Sequence, residues 1–374
     1  MARSKRYRTP SPASSPRRSK RIRRTPQALS QPSRGLPSLS TDTETEDWEK
    51  LAAAAEARIT QYQPKDRHRE DLLQDSLKAF INWLPRGGRE SVARDIRDAK
   101  TDDDLYKVFM NLYKGLAMPM KALSKPSSMI ESPHSKRVRQ VEVGASHLDE
   151  SQTRDDMFKA SCLRRDGYRC IFSGFMQIAH WLQLNEPDAI KAAHVEVAHT
   201  IPFSYASWRT TESRHEAASA WRVLYSCFPG VRRAGLSAET INCESNGLTM
   251  QRECHADFGN FKLAFKPVEN ENNKHEVKTY RGCSALTRMW SPASGFIELK
   301  QADDAKDLKL PDRDYLDCHW RITEIFNASG MGEVIDKQFQ EWEDLKGTCH
   351  ELREDGTTNV DRFLRADLWA DVAG

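Results

Sequence analysis

The 374-residue sequence places no Cys-x-x-Cys pair among its eight cysteines. That removes the usual zinc-knuckle spacing and, in a chain this long, a dense disulfide framework. No run approaches the roughly 18 to 20 apolar residues that a membrane span requires. No apolar segment follows the charged N-terminus to act as a secretory signal. A soluble, reducing, intracellular setting without membrane partners is therefore expected. Apolar residues are scarce, at 38% against 30% charged, which assigns a good part of the chain to solvated segments. Acidic residues are missing where basic ones gather: residues 1–41 hold 11 Lys and Arg and no Asp or Glu. The remaining chain carries 46 basic against 54 acidic side chains, so the net charge of +3 averages a basic tail with a mildly acidic body. An acidic body counts against simple coating of nucleic acid.

What is present divides the chain. Residues 1–46 combine Ser-Pro and Thr-Pro steps with the basic run Arg17–Arg24 and are expected to be disordered. The run reads as a nuclear import signal or a nucleic-acid patch. Over 47–123 apolar residues recur at helical spacing: Trp48, Leu51, Ala55 and Ile59, then Leu73, Leu77, Phe80 and Leu84, then Leu105, Val108, Phe109, Leu112 and Leu116. Pro85, Gly87, Gly88 and Pro119 stand as breakers between or after these stretches. Residues 124–152 look like a linker, 268–282 look polar and turn-like, and 283–374 look mostly helical.

Between them, 153–267 carries three segments of chemical interest. Residues 164–174 (RRDGYRCIFSG) read as a helix end, a turn at Gly167 and a short strand through Cys170–Phe172. Residues 195–204 (VEVAHTIPFS) read as a strand closed by Pro202, with His199 where the strand enters a loop. Residues 246–261 (NGLTMQRECHADFGNF) read as a turn at Gly247, a strand, and two turns of helix bearing His255. Each segment alone has an ordinary structural explanation. Their order, strand with His, loop with Asn, helix with His, is what calls for a common one.

Together these segments resemble the HNH endonuclease family, in particular a branch met in fungal proteins, and 310–331 is similar to the helical extension of such proteins. The resemblance implies an α+β architecture: a ββα-metal module flanked by helical N- and C-terminal regions. It further implies metal-dependent hydrolysis of phosphodiester bonds in nucleic acid, with DNA the expected substrate. His199 would be the general base, since imidazole is the side chain whose charge changes near neutral pH. His255 would ligate a divalent ion set against the phosphate, Mg²⁺ in the first place with Mn²⁺ or Zn²⁺ as alternatives. Asn246 would hold the His199 loop or ligate the metal.

The sequence also departs from the family pattern. Ala198 stands where many members carry a ligand before the first His, and Gly259 where many carry one after the second. Glu196, which shares the strand face of Ala198 and His194, and Asp257 are the carboxylates that could compensate. The 56-residue step from His199 to His255 implies an inserted helix within 205–240, whose Arg232 and Arg233 could meet phosphates. The rival reading is an HNH-fold module that has lost catalysis and binds nucleic acid or protein.

Overall fold

A computed structural model describes residues 47–122, 148, 155–208 and 211–348. The expected basic tail lies outside the described residues. So does the expected linker at 124–152, except Leu148, which is buried in the main core.

The first helices form where the periodicity places them: α1 (Trp48–Thr60), α2 (Leu73–Trp83), α3 (Arg86–Asp98) and α4 (Asp102–Leu112). Asp47 caps α1, and Thr101 and Asp104 close a reciprocal capping box at the start of α4. Two of the expected breakers break nothing. Gly87 and Gly88 lie in the first turn of α3, and Gly88 is needed there because a Cβ would sit 1.8 Å from the carbonyl oxygen of Cys227. Pro119 likewise lies inside helix. A π-helical turn at Tyr113–Ala117 leads into α5 (Met118–Lys121), whose first turn tolerates a residue without an N–H.

The middle of the chain supplies α6 (Asp156–Arg165), α7 (Ile178–Gln183), α8 (Thr211–Cys227) and α9 (Pro229–Arg233). Here α8 is the helix expected within 205–240. Its strands are β1 (Met176–Gln177) parallel to β2 (Ala192–Ala193), and β3 (Val195–His199) antiparallel to β4 (Gly247–Gln251). The strand expected at Cys170–Phe172 is instead a tight turn. Cys170 N donates to Phe175 O and Gly174 N to Cys170 O, and the extended segment comes later, at β1.

Directly after β4 the chain enters α10 (Arg252–Gly259). No loop intervenes, because Gln251 ends the strand and caps the helix, its Oε1 accepting from the N–H groups of Glu253 and Cys254. Beyond it, β5 (Leu263–Pro267), β6 (Lys274–Thr279) and β7 (Phe296–Glu298) form an antiparallel sheet in that order. Residues 268–282 therefore contain a strand, not only turns. Between β6 and β7 lies α11 (Ala285–Met289), and the described chain ends with α12 (Arg313–Ser329) and α13 (Met331–Thr348).

The fold is thus mixed helix and sheet, with two apolar cores. The larger core joins Leu51, Phe80 and Phe109 from the early helices to Trp221 and Leu224 of α8 and to Ile322 and Phe326 of α12. Helices from both ends of the sequence share it. The smaller core lies under the β3–β4 ribbon and α10, built from Ala198, Leu248, Met250, Cys254, Phe258 and Phe265. No helix among the described residues is long and apolar enough to cross a membrane.

Candidate active site

The β3–β4 ribbon pairs His199 with Gly247, Val197 with Thr249 and Val195 with Gln251. Side chains alternate along a strand, so His199 and Glu196 leave β3 on opposite faces. Each face has its own helix.

On the α6 face, the His199 ring stacks on Phe158 with centroids 4.3 Å apart and 21° between planes, and Phe203 lies at 5.7 Å. His199 Nε2 is 3.0 Å from Asn242 Oδ1. An amide oxygen only accepts, so Nε2 is the donor in this contact. The loop that follows His199 is fixed by Asn246, which is fully buried. Asn246 Oδ1 accepts from Ile201 N at 2.8 Å, and its Nδ2 donates to Ile201 O and Ile241 O, each at 3.0 Å. Of the two roles the sequence left open, this geometry is that of holding the loop: the amide's oxygen and both its N–H groups are taken up by backbone.

Gly247 supplies no turn. It is the first residue of β4, and glycine is required because α6 lies directly on it: a Cβ there would stand 2.4 Å from Cys162 Sγ and 2.7 Å from Phe158 Cε2. Phe158, Cys162 and Arg165 recur at helical spacing and form the stripe of α6 that meets the ribbon. Burial pushes the Cys162 thiol up to about 12, so it stays a neutral packing group.

On the opposite face, His255 Nδ1 is 2.6 Å from Glu196 Oε2, and both side chains are partly open to solvent. Among the described residues nothing bonds to His255 Nε2. Ala198, where a ligand could have stood, is buried in the small core under Leu248 and Met250. Asp257 is drawn away: two residues beyond His255 on a helix it points about 200° around the axis. There it accepts from Ser284 N and the Cys283 thiol, tying α10 to the start of α11. The space beside Gly259 is open. His194 is exposed at the foot of β3. Arg232 and Arg233 close α9, with the Arg232 guanidinium 5.9 Å from the centre of the Tyr225 ring and Arg233 exposed.

Behind α10, His319 lies between Phe258 and Phe261, at 3.7 and 4.6 Å, and donates from Nε2 to Phe258 O. Burial pushes its imidazole down to about 3, so the ring is neutral and braces the helix that carries His255. Cys170 sits under the same helix. Burial opposes its ionisation, while hydrogen bonds from the Cys254 thiol, Ser173 and the Gln251 N–H act the other way and lower it.

Among the described residues no three His, Cys, Asp or Glu side chains converge on a point where they could hold a metal ion. Glu196 and His255 fit a cation as a two-donor set. A hard ion such as Mg²⁺ can complete its shell with water and phosphate oxygens. Sequence reading brought forward His199, Asn246, His255 and Glu196, and missed Asn242, Phe158 and Arg165. No curated protein and no solved structure matched the chain. Residues 170–266 match the family model for HNH endonuclease, so the ribbon and helix that hold His199, Asn246 and His255 form an HNH-family segment, while Phe158 and the helices at either end lie outside the match.

Proposed function

We propose that this segment, within a domain spanning about 153–267, is a metal-dependent nuclease that hydrolyses phosphodiester bonds, with DNA as substrate. The observation that carries the reading is the match of residues 170–266 to the HNH endonuclease model, which spans the strand, loop and helix that carry His199, Asn246 and His255. His199 receives the proton of the attacking water. Asn242 orients the ring through its contact with Nε2, and Asn246 holds the backbone on which the ring is mounted. Glu196 and His255 hold the divalent ion, Glu196 providing on the same strand face the carboxylate that Ala198 lacks. When bound, such an ion neutralises phosphate charge and stabilises the leaving oxygen. Together with the HNH surroundings of Glu196 and His255, that requirement favours Mg²⁺ over a softer ion.

A second reading is supported by the burial of Ala198 and by the two-donor set: an HNH-fold module that binds nucleic acid without cutting it. Plasmid nicking by the purified chain with Mg²⁺, Mn²⁺, Zn²⁺ or EDTA separates the two. The nuclease reading expects nicking that EDTA abolishes. Binding without nicking under every metal gives the second reading. The basic run Arg17–Arg24 is proposed as the nuclear import signal of this enzyme, and deletion of residues 1–41 is expected to leave the protein cytoplasmic.

A further inference from the structure

The ladder bonds at the two ends of the ribbon, Thr200 N to Asn246 O and Arg252 N to His194 O, set its phase. They turn the backbone groups of Leu248 and Met250 toward β3 and those of Gly247 and Thr249 away from it. A free strand edge of this kind needs partners. Among the described residues no third strand is there. The fully buried Arg165 donates from one terminal nitrogen to Gly247 O at 2.8 Å and from the other to Glu244 O. Asp166, which takes the Arg165 guanidinium through both carboxylate oxygens at 2.7 Å, accepts from Thr249 N at 3.2 Å. Ile171 N completes the edge by donating to Thr249 O.

We propose that Arg165 and Asp166 are positioning residues for His199, acting as a side-chain substitute for a third strand. Gly247 is the cross-strand neighbour of His199, and Glu244 opens the short turn that delivers Asn246. Gripping both carbonyls therefore sets the strand opposite the ring and the loop beside it. The same helix also presents Phe158 to that ring, so one guanidinium fixes both the stacking partner and the strand against which it stacks. Planar, bidentate guanidinium geometry suits this task, and an ammonium cannot replace it bond for bond. Both residues precede the segment that matches the HNH family model. The functional part of the inference rests on His199 as general base; the positioning part does not.

The test uses the full chain with labelled histidine, the His199 ring signal being assigned from His199→Gln. Phe158→Leu marks where that signal moves once the stacked ring is lost. In Arg165→Lys and Asp166→Asn the His199 signal is expected to shift toward the Phe158→Leu position. Cleavage is expected to fall by roughly 10- to 100-fold, as small misplacements of a reacting group do, with affinity for an oligonucleotide in EDTA unchanged. Folded variants with a lowered Tm but the His199 signal at its parent position would overturn the proposal, since that is what a merely structural pair would give. If Arg165→Lys does not fold, Asp166→Asn, which keeps size and shape, decides alone. A parent protein that cuts nothing would overturn the nuclease reading, and the ring signal would still decide the positioning.

Discussion

The two faces of β3 solve different problems. On one, His199 is stacked on Phe158, bonded to Asn242 and mounted on a loop fixed by the buried Asn246. On the other, His255 is held by Glu196 and is partly open to solvent. A proton acceptor works through orientation and tautomer, which need a rigid frame. A site for a hard cation needs room for water and phosphate, which a closed frame would deny. The contrast also locates sensitivity: the His199 face is coupled to the fold, whereas the His255 face is open to solvent.

The largest expected effect breaks the comparison at its centre. His199→Ala should lower cleavage by roughly 10²- to 10⁴-fold while divalent-ion binding, read by calorimetry, persists. His255→Ala should weaken ion binding itself, with part of the cleavage recovered in excess metal. Glu196→Gln should act in the same direction as His255→Ala. If the two histidine variants cut as well as the parent, the division of labour between the faces is wrong.

A second prediction measures how far the first face is part of the fold. Asn246→Ala removes three bonds from a fully buried site and leaves Ile201 N, Ile201 O and Ile241 O without that partner. It should cost about 2 to 4 kcal/mol in denaturant unfolding. Gly247→Ala drives a methyl into Cys162 and Phe158 and should cost about 1 to 3 kcal/mol. His255→Ala should leave stability nearly unchanged. Equal losses at all three positions would erase the contrast.

Much of this site was legible in the sequence, and the reason is local. The strand at Val195–His199 and the strand and short helix that carry His255 follow from alternation, β-branched residues and local pattern, all within a few residues of one another, whereas the cap by Gln251 emerges only from the structure. Asn242 and Arg165 were not legible because their roles are long-range: Asn242 meets His199 across 43 positions, and Arg165 meets Glu244 and Gly247 across 79 and 82. Gly247 reads as a turn because a glycine signals backbone freedom in sequence, whereas in the fold it marks the close approach of a helix. The same limit hid the shared core. Periodicity placed Phe80 on the apolar face of a helix but could not show that it is buried together with Phe326 of α12. The strand at Lys274–Thr279 escaped because its alternating residues are mostly polar and only partly buried, so no hydrophobic pattern announced it.

A third prediction concerns pH. Burial lowers His319 to about 3, His275 to about 4 and His68 to about 3. In the unfolded chain all three return to about 6.5. Their neutral burial therefore costs nothing above that value, and stability falls as pH drops through about 6.5 toward the folded values, because the unfolded state then binds more protons. The urea midpoint of the parent should be lower at about pH 5 than at about pH 7.5. His319→Gln, which can still donate to Phe258 O, should show a smaller decline. An identical pH slope in parent and variant would remove His319 from this account, and with it the idea that a neutral ring braces α10 from behind.

The smallest expected effect tests whether nucleic acid is gripped away from the two faces. Arg232 and Arg233 end α9, ahead of the loop that carries Asn242, with Arg233 exposed and Arg232 resting near Tyr225. Surface changes of this kind alter stability by less than about 0.5 kcal/mol, so any loss of binding can be read without correction for folding. If both guanidiniums meet phosphates, the double variant Arg232→Ala/Arg233→Ala should bind DNA more weakly whatever its sequence. The slope of log affinity against log salt should then fall by about 0.9 per lost contact. An unchanged slope would mean that the acidic body meets nucleic acid only at the ribbon, and that the inserted helix serves the fold by delivering Asn242 to His199.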